Sequence, residues 1–153
     1  MNQPRFQLAH TGITVTDLER SLVFWSGALG FEVLFEAEAH GCFAAAATGV
    51  PGADLRIVML GGYGHNIELV EYTSPPERQV VRPRPCDVGS WHLALMVDDL
   101  DEVLAVLRSH GFHAANSPAV IEDGPRAGGK AVYAHDPDGT TIELIQPPKL
   151  AER

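Results

Sequence analysis

Two histidines and two glutamates recur in matching surroundings along this chain. His10 stands in Ala9-His10-Thr11-Gly12-Ile13-Thr14-Val15-Thr16-Asp17-Leu18, and His92 in Trp91-His92-Leu93-Ala94-Leu95-Met96-Val97-Asp98-Asp99-Leu100. Laid together, His10 falls on His92, Val15 on Val97, Asp17 on Asp99 and Leu18 on Leu100, a constant offset of 92 − 10 = 82. Glu68, in Ile67-Glu68-Leu69-Val70, is matched by Glu143, in Ile142-Glu143-Leu144-Ile145. A single imidazole in a strand is ordinarily a hydrogen-bonded structural group. The same imidazole in the same place twice, each followed by a glutamate later in its own half, predicts a shared site. Two imidazoles and two carboxylates brought together make a four-ligand set for a divalent cation. Nitrogen and oxygen donors suit Zn, Ni, Co, Fe or Mn without choosing among them.

The elements that must position these groups read twice in the same order. Gln7–Val15 alternates as a strand and runs into a Thr16-x-x-Glu19 pattern of the capping-box kind, which marks a helix start. Leu18, Leu22, Trp25 and Leu29 then follow at helical spacing as one core-facing stripe, and Gly30 ends the helix. Strands are predicted over Phe31–Glu38, weakly over the alanine run Phe43–Thr48, over Asp54–Leu60, and over His65–Tyr72. The second half replays this: a strand over Trp91–Val97, a helix over Asp99–His110, and short strands at Phe112–Ala115 and Ala119–Glu122. Strands at Lys130–His135 and Thr140–Gln146 follow, around the turn Asp136-Pro137-Asp138-Gly139. In the last strand of each half, Ile and Leu flank the glutamate on the opposite strand face, which puts Glu68 and Glu143 on the sheet face away from the helices. A carboxylate there must be hydrated, paired or bound to a cation, since unpaired burial is costly.

This reading gives an α+β fold of two tandem βαβββ modules, residues 6–73 and 90–148, joined by a Pro-rich linker, residues 74–89. Together they are expected to form one domain: a single cupped mixed sheet of about eight strands, with the helices on its convex face. With 153 residues, 45% of them apolar and 20% charged, the chain has a globular composition. A net charge of −9 argues against a nucleic-acid footprint. The first residues lack the apolar core of a signal peptide, and no apolar run approaches a membrane span, so the expectation is a cytoplasmic protein with neither nucleic-acid nor membrane partners. Cys42 and Cys86 give no disulfide framework or zinc spacing. His65 and Glu71 fall on the strand face opposite Glu68, with Glu71 expected to be solvated. Tyr133 either lines the cavity or packs in the core, while Arg126 and Lys130 are either cavity-mouth groups for an anionic substrate or solvated loop residues.

The element order, the paired histidines and the repeated Ile-Glu-Leu resemble the vicinal oxygen chelate superfamily, which includes glyoxalase I, methylmalonyl-CoA epimerase, extradiol dioxygenases and the bleomycin- and fosfomycin-resistance proteins. The resemblance covers about Phe6 to Pro147. Its motifs look most like bacterial glyoxalase I: His10-Thr11, Asp17-Leu18-Glu19-Arg20-Ser21, Leu29-Gly30, and Asp136-Pro137-Asp138-Gly139-Thr140-Thr141-Ile142-Glu143-Leu144. After the first-half glutamate the chain departs from that enzyme, with Val70-Glu71-Tyr72-Thr73 in place of an Asn-Trp-Gly element. The resemblance implies that His10, Glu68, His92 and Glu143 bind a divalent metal, that Glu143 doubles as a base with Glu68 as a second catalytic carboxylate, and that the protein is a homodimer. The expected activity is lyase or isomerase chemistry by proton transfer beside a metal-chelated carbonyl of a small molecule. The alternatives are an Fe(II)-dependent dioxygenase acting on a phenolic or polyketide substrate, and a non-catalytic protein that sequesters a drug-like ligand.

Overall fold

A computed structural model describes residues 5–149. Residues 1–4, which entered the signal-peptide reading, lie outside the described residues. Among the described residues, eight strands form two four-stranded mixed sheets of identical connectivity. The first contains β1 (Thr11–Val15), β2 (Glu32–Ala39), β3 (Asp54–Gly62) and β4 (His65–Ser74), in the order β1-β4-β3-β2. The second contains β5 (His92–Met96), β6 (Ala119–Val120), β7 (Lys130–His135) and β8 (Thr141–Gln146), in the order β5-β8-β7-β6. In each sheet the first and last strands of the half pair in parallel, β1 with β4 and β5 with β8, and the other pairings are antiparallel. The chain divides into two compact units: the first runs up to Leu22 and resumes over Gly30–Arg78, and the second takes Val23–Leu29 with the chain from Gln79 onward.

Helix α1 (Leu18–Leu22) and helix α3 (Leu100–Ser109) start at equivalent points of the two halves. The cap at the first is Asp17, not Thr16: Asp17 Oδ1 accepts the backbone N–H of Arg20 at 2.8 Å, while the Thr16 hydroxyl accepts from the Arg20 guanidinium. Asp99 caps α3 in the same way, accepting from the N–H groups of Asp101 and Glu102. A second tie holds each helix start to its sheet. The Leu18 N–H donates to Glu71 Oε2 at 3.4 Å, and the Leu100 N–H donates to Gln146 Oε1 at 2.8 Å.

Beyond Leu22 the chain continues as a π-helical turn, Val23–Ala28. The wider turn explains why Phe24 and Trp25, adjacent in sequence, are both fully buried, where a single α-helical stripe would bury Trp25 and turn Phe24 away. Phe24 packs edge-on against Trp25 and against Phe112 within the second unit, with ring centroids 5.5 and 4.9 Å apart.

The alanine run expected as a weak strand is instead helix α2 (Gly41–Thr48). Four consecutive alanines favour helix over strand. Gly49 ends it in the left-handed region at φ 73°, donating its N–H to Ala45 O at 2.9 Å. The first half therefore carries a helix between its second and third strands. The strand expected at Phe112–Ala115 is reduced to an isolated bridge between Ala114 and Ala134. Both cysteines are free and exposed, and among the described residues no helix is long and apolar enough to cross a membrane.

Candidate functional site

The first unit brings His10 and Glu68 together, and the second brings together His92 and Glu143. Strand register explains both pairings. Gly12 lies opposite Glu68 across the parallel β1–β4 pair, and Ala94 lies opposite Glu143 across β5–β8. His10 and His92 each stand two residues earlier, so each shares its partner's sheet face and meets the glutamate on the diagonal. The intervening residue is small in both copies. Even a Cβ built on Gly12 would come within 3.7 Å of Glu68 Oε2.

His10 Nε2 lies 3.4 Å from Glu68 Oε2, and His92 Nε2 lies 3.2 Å from Glu143 Oε2. Charge-assisted N–H···O bonds are shorter, about 2.7–2.9 Å. Two ligands about 2.1 Å from one cation, at adjacent coordination positions, stand about 3.0–3.4 Å apart. The donor spacing in both pairs therefore matches two neighbouring ligands of a divalent ion. Side-chain exposures of 36% and 25% in the first pair, and 43% and 23% in the second, leave the facing atoms within reach of solvent and of an ion. Within either unit, among the described residues, no third His, Cys, Asp or Glu gathers with the pair into a metal-binding cluster.

The rows beside the two glutamates differ. In the first sheet, Glu68 faces Met59 on β3, which itself faces Phe35 on β2. In the second sheet, Glu143 faces Tyr133 on β7. The Tyr133 ring centroid is 5.4 Å from that of the His92 imidazole, with the planes tilted by 35°. Tyr133 thus shares the face of His92 and Glu143. One step along the same face, Thr141 lies opposite both His92 and His135, and its hydroxyl is 3.5 Å from His135 Nδ1.

The opposite face of each sheet holds the groups that fasten the helices. Glu71 is not a solvated carboxylate: besides the Leu18 N–H it pairs with Arg56 at 3.2 Å, and Arg56 also reaches Glu19 at 2.7 Å. The second unit repeats the arrangement with Lys130, opposite Gln146 in register and 3.9 Å from Asp101. Lys130 therefore belongs to the helix-facing side and is not a cavity-mouth group. His65 is placed on that side too, with Nε2 2.8 Å from the Thr11 hydroxyl. Sequence reasoning missed these ties, although Glu71 and Gln146 each stand three residues after a paired glutamate.

Comparison with known proteins agrees with this duplicated architecture. The profile of the Glyoxalase/Bleomycin resistance protein/Dioxygenase superfamily matches residues 7–144, and the chain belongs to that superfamily. Among its relatives is a 2-epi-5-epi-valiolone epimerase from Actinomyces sp., 36% identical over 144 residues, covering 91% of this chain and 78% of the relative. A lactoylglutathione lyase from Salmonella typhimurium is 28% identical over 150 residues, covering 92% of each chain. Among solved structures, a glyoxalase family protein from Bacillus cereus superimposes with a TM-score of 0.82 at 22% identity, covering 97% of this chain and 99% of that one, which supports the fold.

Proposed function

We propose that this protein is a divalent-metal-dependent isomerase or lyase that moves a proton at the carbon beside a carbonyl group. The observation that carries this reading is the recurrence of one His–Glu pair per unit, with donor spacings of 3.4 and 3.2 Å. His10 with Glu68, and His92 with Glu143, would be the metal ligands. A bound divalent ion would act as a Lewis acid on the substrate's oxygens and lower the cost of negative charge developing there. Glu143 is the base: its carboxylate takes the proton from the carbon beside the carbonyl, and the C–H electron pair passes into the adjacent C–O system. Glu143, after exchanging that proton with solvent, reprotonates the neighbouring carbon to give an isomer; protonation of the original carbon on its other face, which gives an epimer, needs a second acid. Glu68 holds the equivalent position in the first unit and is the second candidate for that proton. The relatives' names fit one chemistry on two substrates, since an epimerase and a glyoxalase-type lyase both exchange a proton next to a carbonyl.

The test follows deuterium. Wild-type protein supplied in turn with Zn, Ni, Co, Fe or Mn is incubated in D2O with a panel of α-hydroxy ketones and thiohemiacetals. Incorporation of deuterium beside the carbonyl is read by NMR. The expected result is metal-dependent exchange that Glu143→Gln slows by about 10²–10⁴-fold, the range for loss of a general base. Exchange equally fast in Glu143→Gln would sink the assignment of the base. Failure of the protein to take up any of these ions would sink the metal reading.

A further inference from the structure

We propose that Tyr133 is a positioning residue that fixes the orientation of the His92 imidazole, and that this constraint exists in the second copy of the repeat and not in the first. The proposal rests on the reading of His92 as a metal ligand and extends it to a residue one strand beyond the pair. β5 and β7 flank β8 on either side, and His92 stands two residues off the Tyr133–Glu143 row, so the two backbones lie about 11–12 Å apart, from two strand spacings and two residues of rise. Yet the two ring centroids are 5.4 Å apart, so the side chains lean toward each other across the strand that carries Glu143. Tyr133 is directly opposite Glu143 in register, and His92 Nε2 is 3.2 Å from Glu143 Oε2. The phenol ring, the imidazole and the carboxylate thus close a triangle on one face of the sheet. An imidazole on the exposed first residue of a strand is otherwise free to rotate about its last side-chain bond, which is a broad torsion. A tilted aromatic neighbour at this distance restricts that rotation and keeps Nε2 turned toward the carboxylate.

The first copy supplies the contrast. The residue opposite Glu68 is Met59, a flexible thioether with no flat face to set against His10. The fold accepts either residue at this register position, so the ring is not needed to build the sheet. Met59 also supplies a substitution that the architecture already tolerates.

The experiment compares Tyr133→Phe, which keeps the ring and removes the hydroxyl, with Tyr133→Met, which copies the first repeat. Tyr133→Leu serves as a second ring-deleted variant, and thermal melting checks each fold. In the metal-free protein, ¹H–¹³C spectra of the histidine imidazoles report the ring current of Tyr133. His92 resonances are expected to move in Tyr133→Met and Tyr133→Leu and to stay in place in Tyr133→Phe, with His10 unmoved throughout. In Zn²⁺ titrations the ring-deleted variants are expected to lose about tenfold in affinity, as when the partner of a metal-ligating histidine is removed, while Tyr133→Phe binds like wild type. Unmoved His92 signals in the ring-deleted variants would overturn the proposal, and so would an equal loss of affinity in Tyr133→Phe and Tyr133→Met. If wild-type protein takes up no Zn²⁺, the ligand reading falls by itself, and the His92 side-chain couplings, compared between wild type and Tyr133→Met, still decide whether Tyr133 orients His92.

Discussion

Gln146 accepts the backbone N–H of Leu100 on its side-chain oxygen at 2.8 Å, binding the first turn of α3 to the last residue of β8. The same tie in the first copy uses Glu71 and Leu18, with a charged acceptor in place of a neutral one. An N–H in the first turn of a helix has no intrahelical partner, so at a part-buried position it depends on such a group. Gln146→Leu is expected to lower stability by about 1–2 kcal/mol, and Gln146→Glu, which keeps the acceptor, by less. Urea denaturation at neutral pH measures both. Equal losses would mean that the hydrogen bond contributes nothing.

Asp99 satisfies two further donors of that turn, from Asp101 and Glu102. Asp99→Ala is therefore expected to cost about 1 kcal/mol, and Asp99→Asn or Asp99→Ser to recover most of it. Amide exchange at Asp101 and Glu102 should accelerate in the alanine variant first. Unchanged exchange at these two positions would remove Asp99 from the cap.

The small residue between each histidine and its glutamate sets how closely the two approach. Gly12→Ala is expected to leave metal affinity unchanged, because alanine already occupies the equivalent position 94. Gly12→Val adds γ-carbons beyond a Cβ that already lies 3.7 Å from Glu68 Oε2. It is expected to weaken Co²⁺ binding by about tenfold, the scale seen when ligand orientation is disturbed. Titration calorimetry separates the two variants.

His40 lies between two carboxylates, 3.1 Å from Glu38 and 3.3 Å from Asp54, at the start of α2. The hydrogen bond His40 donates to Glu38, aided by Asp54, raises its pKa above the ordinary 6.5. A histidine whose folded pKa is raised contributes stability that is fully present below the unfolded pKa and is lost as pH rises through the folded one. An NMR titration of His40 should give a midpoint above that of the unfolded chain, and Glu38→Gln should lower it. An unaltered midpoint in that variant would rule out Glu38 as the cause.

Asp136 has a dependence of the same sign, placed in the acid range. Its side chain is buried, with Oδ1 accepting from the N–H groups of Asp138 and Thr140, while Oδ2 has no partner among the described residues. Burial pushes its pKa up, against the lowering effect of those two donors. The folded protein thus prefers the neutral acid. The penalty is absent below the unfolded pKa and complete once pH exceeds the folded one. Asp136→Asn is expected to shift Tm more favourably at pH 7 than at pH 3.5, and a shift of the same size at both would contradict a buried charge.

Periodicity and repetition carried much of this structure in readable form. The offset that aligns His10 with His92 also aligns the helix starts, because both copies must cross from a strand to a helix at the same point. Alternation placed Glu68 and Glu143 on the face away from the helices, since Ile67, Leu69, Ile142 and Leu144 bury completely on the other side. Two kinds of feature were missed. Local propensity carries the answer at Phe43–Thr48, where the alanine run favours helix and the expectation of a weak strand passes over it. Long-range polar ties were invisible for a different reason. Nothing near Glu71 in sequence indicates that Arg56 and the Leu18 N–H will meet it, so its exposed-looking spacing suggested a solvated side chain.

The parallel pairing at one edge of each sheet also bears on how these pairs come into being. Thr11 meets Ile67 across 67 − 11 = 56 residues, and Leu93 meets Ile142 across 142 − 93 = 49. The antiparallel β3–β4 and β7–β8 hairpins close short loops, whereas β1–β4 and β5–β8 must close nearly the whole half, so the entropy of closure falls on these pairings and delays them. Each histidine stands at the head of the late-docking strand, and each glutamate on the strand that receives it. A His–Glu pair is therefore a record of completed folding: a half with only its hairpins formed holds a carboxylate and no imidazole beside it. A metal ion captured by such a pair would bind the finished half in preference to its intermediates, and would stabilise the last step of assembly more than any earlier one.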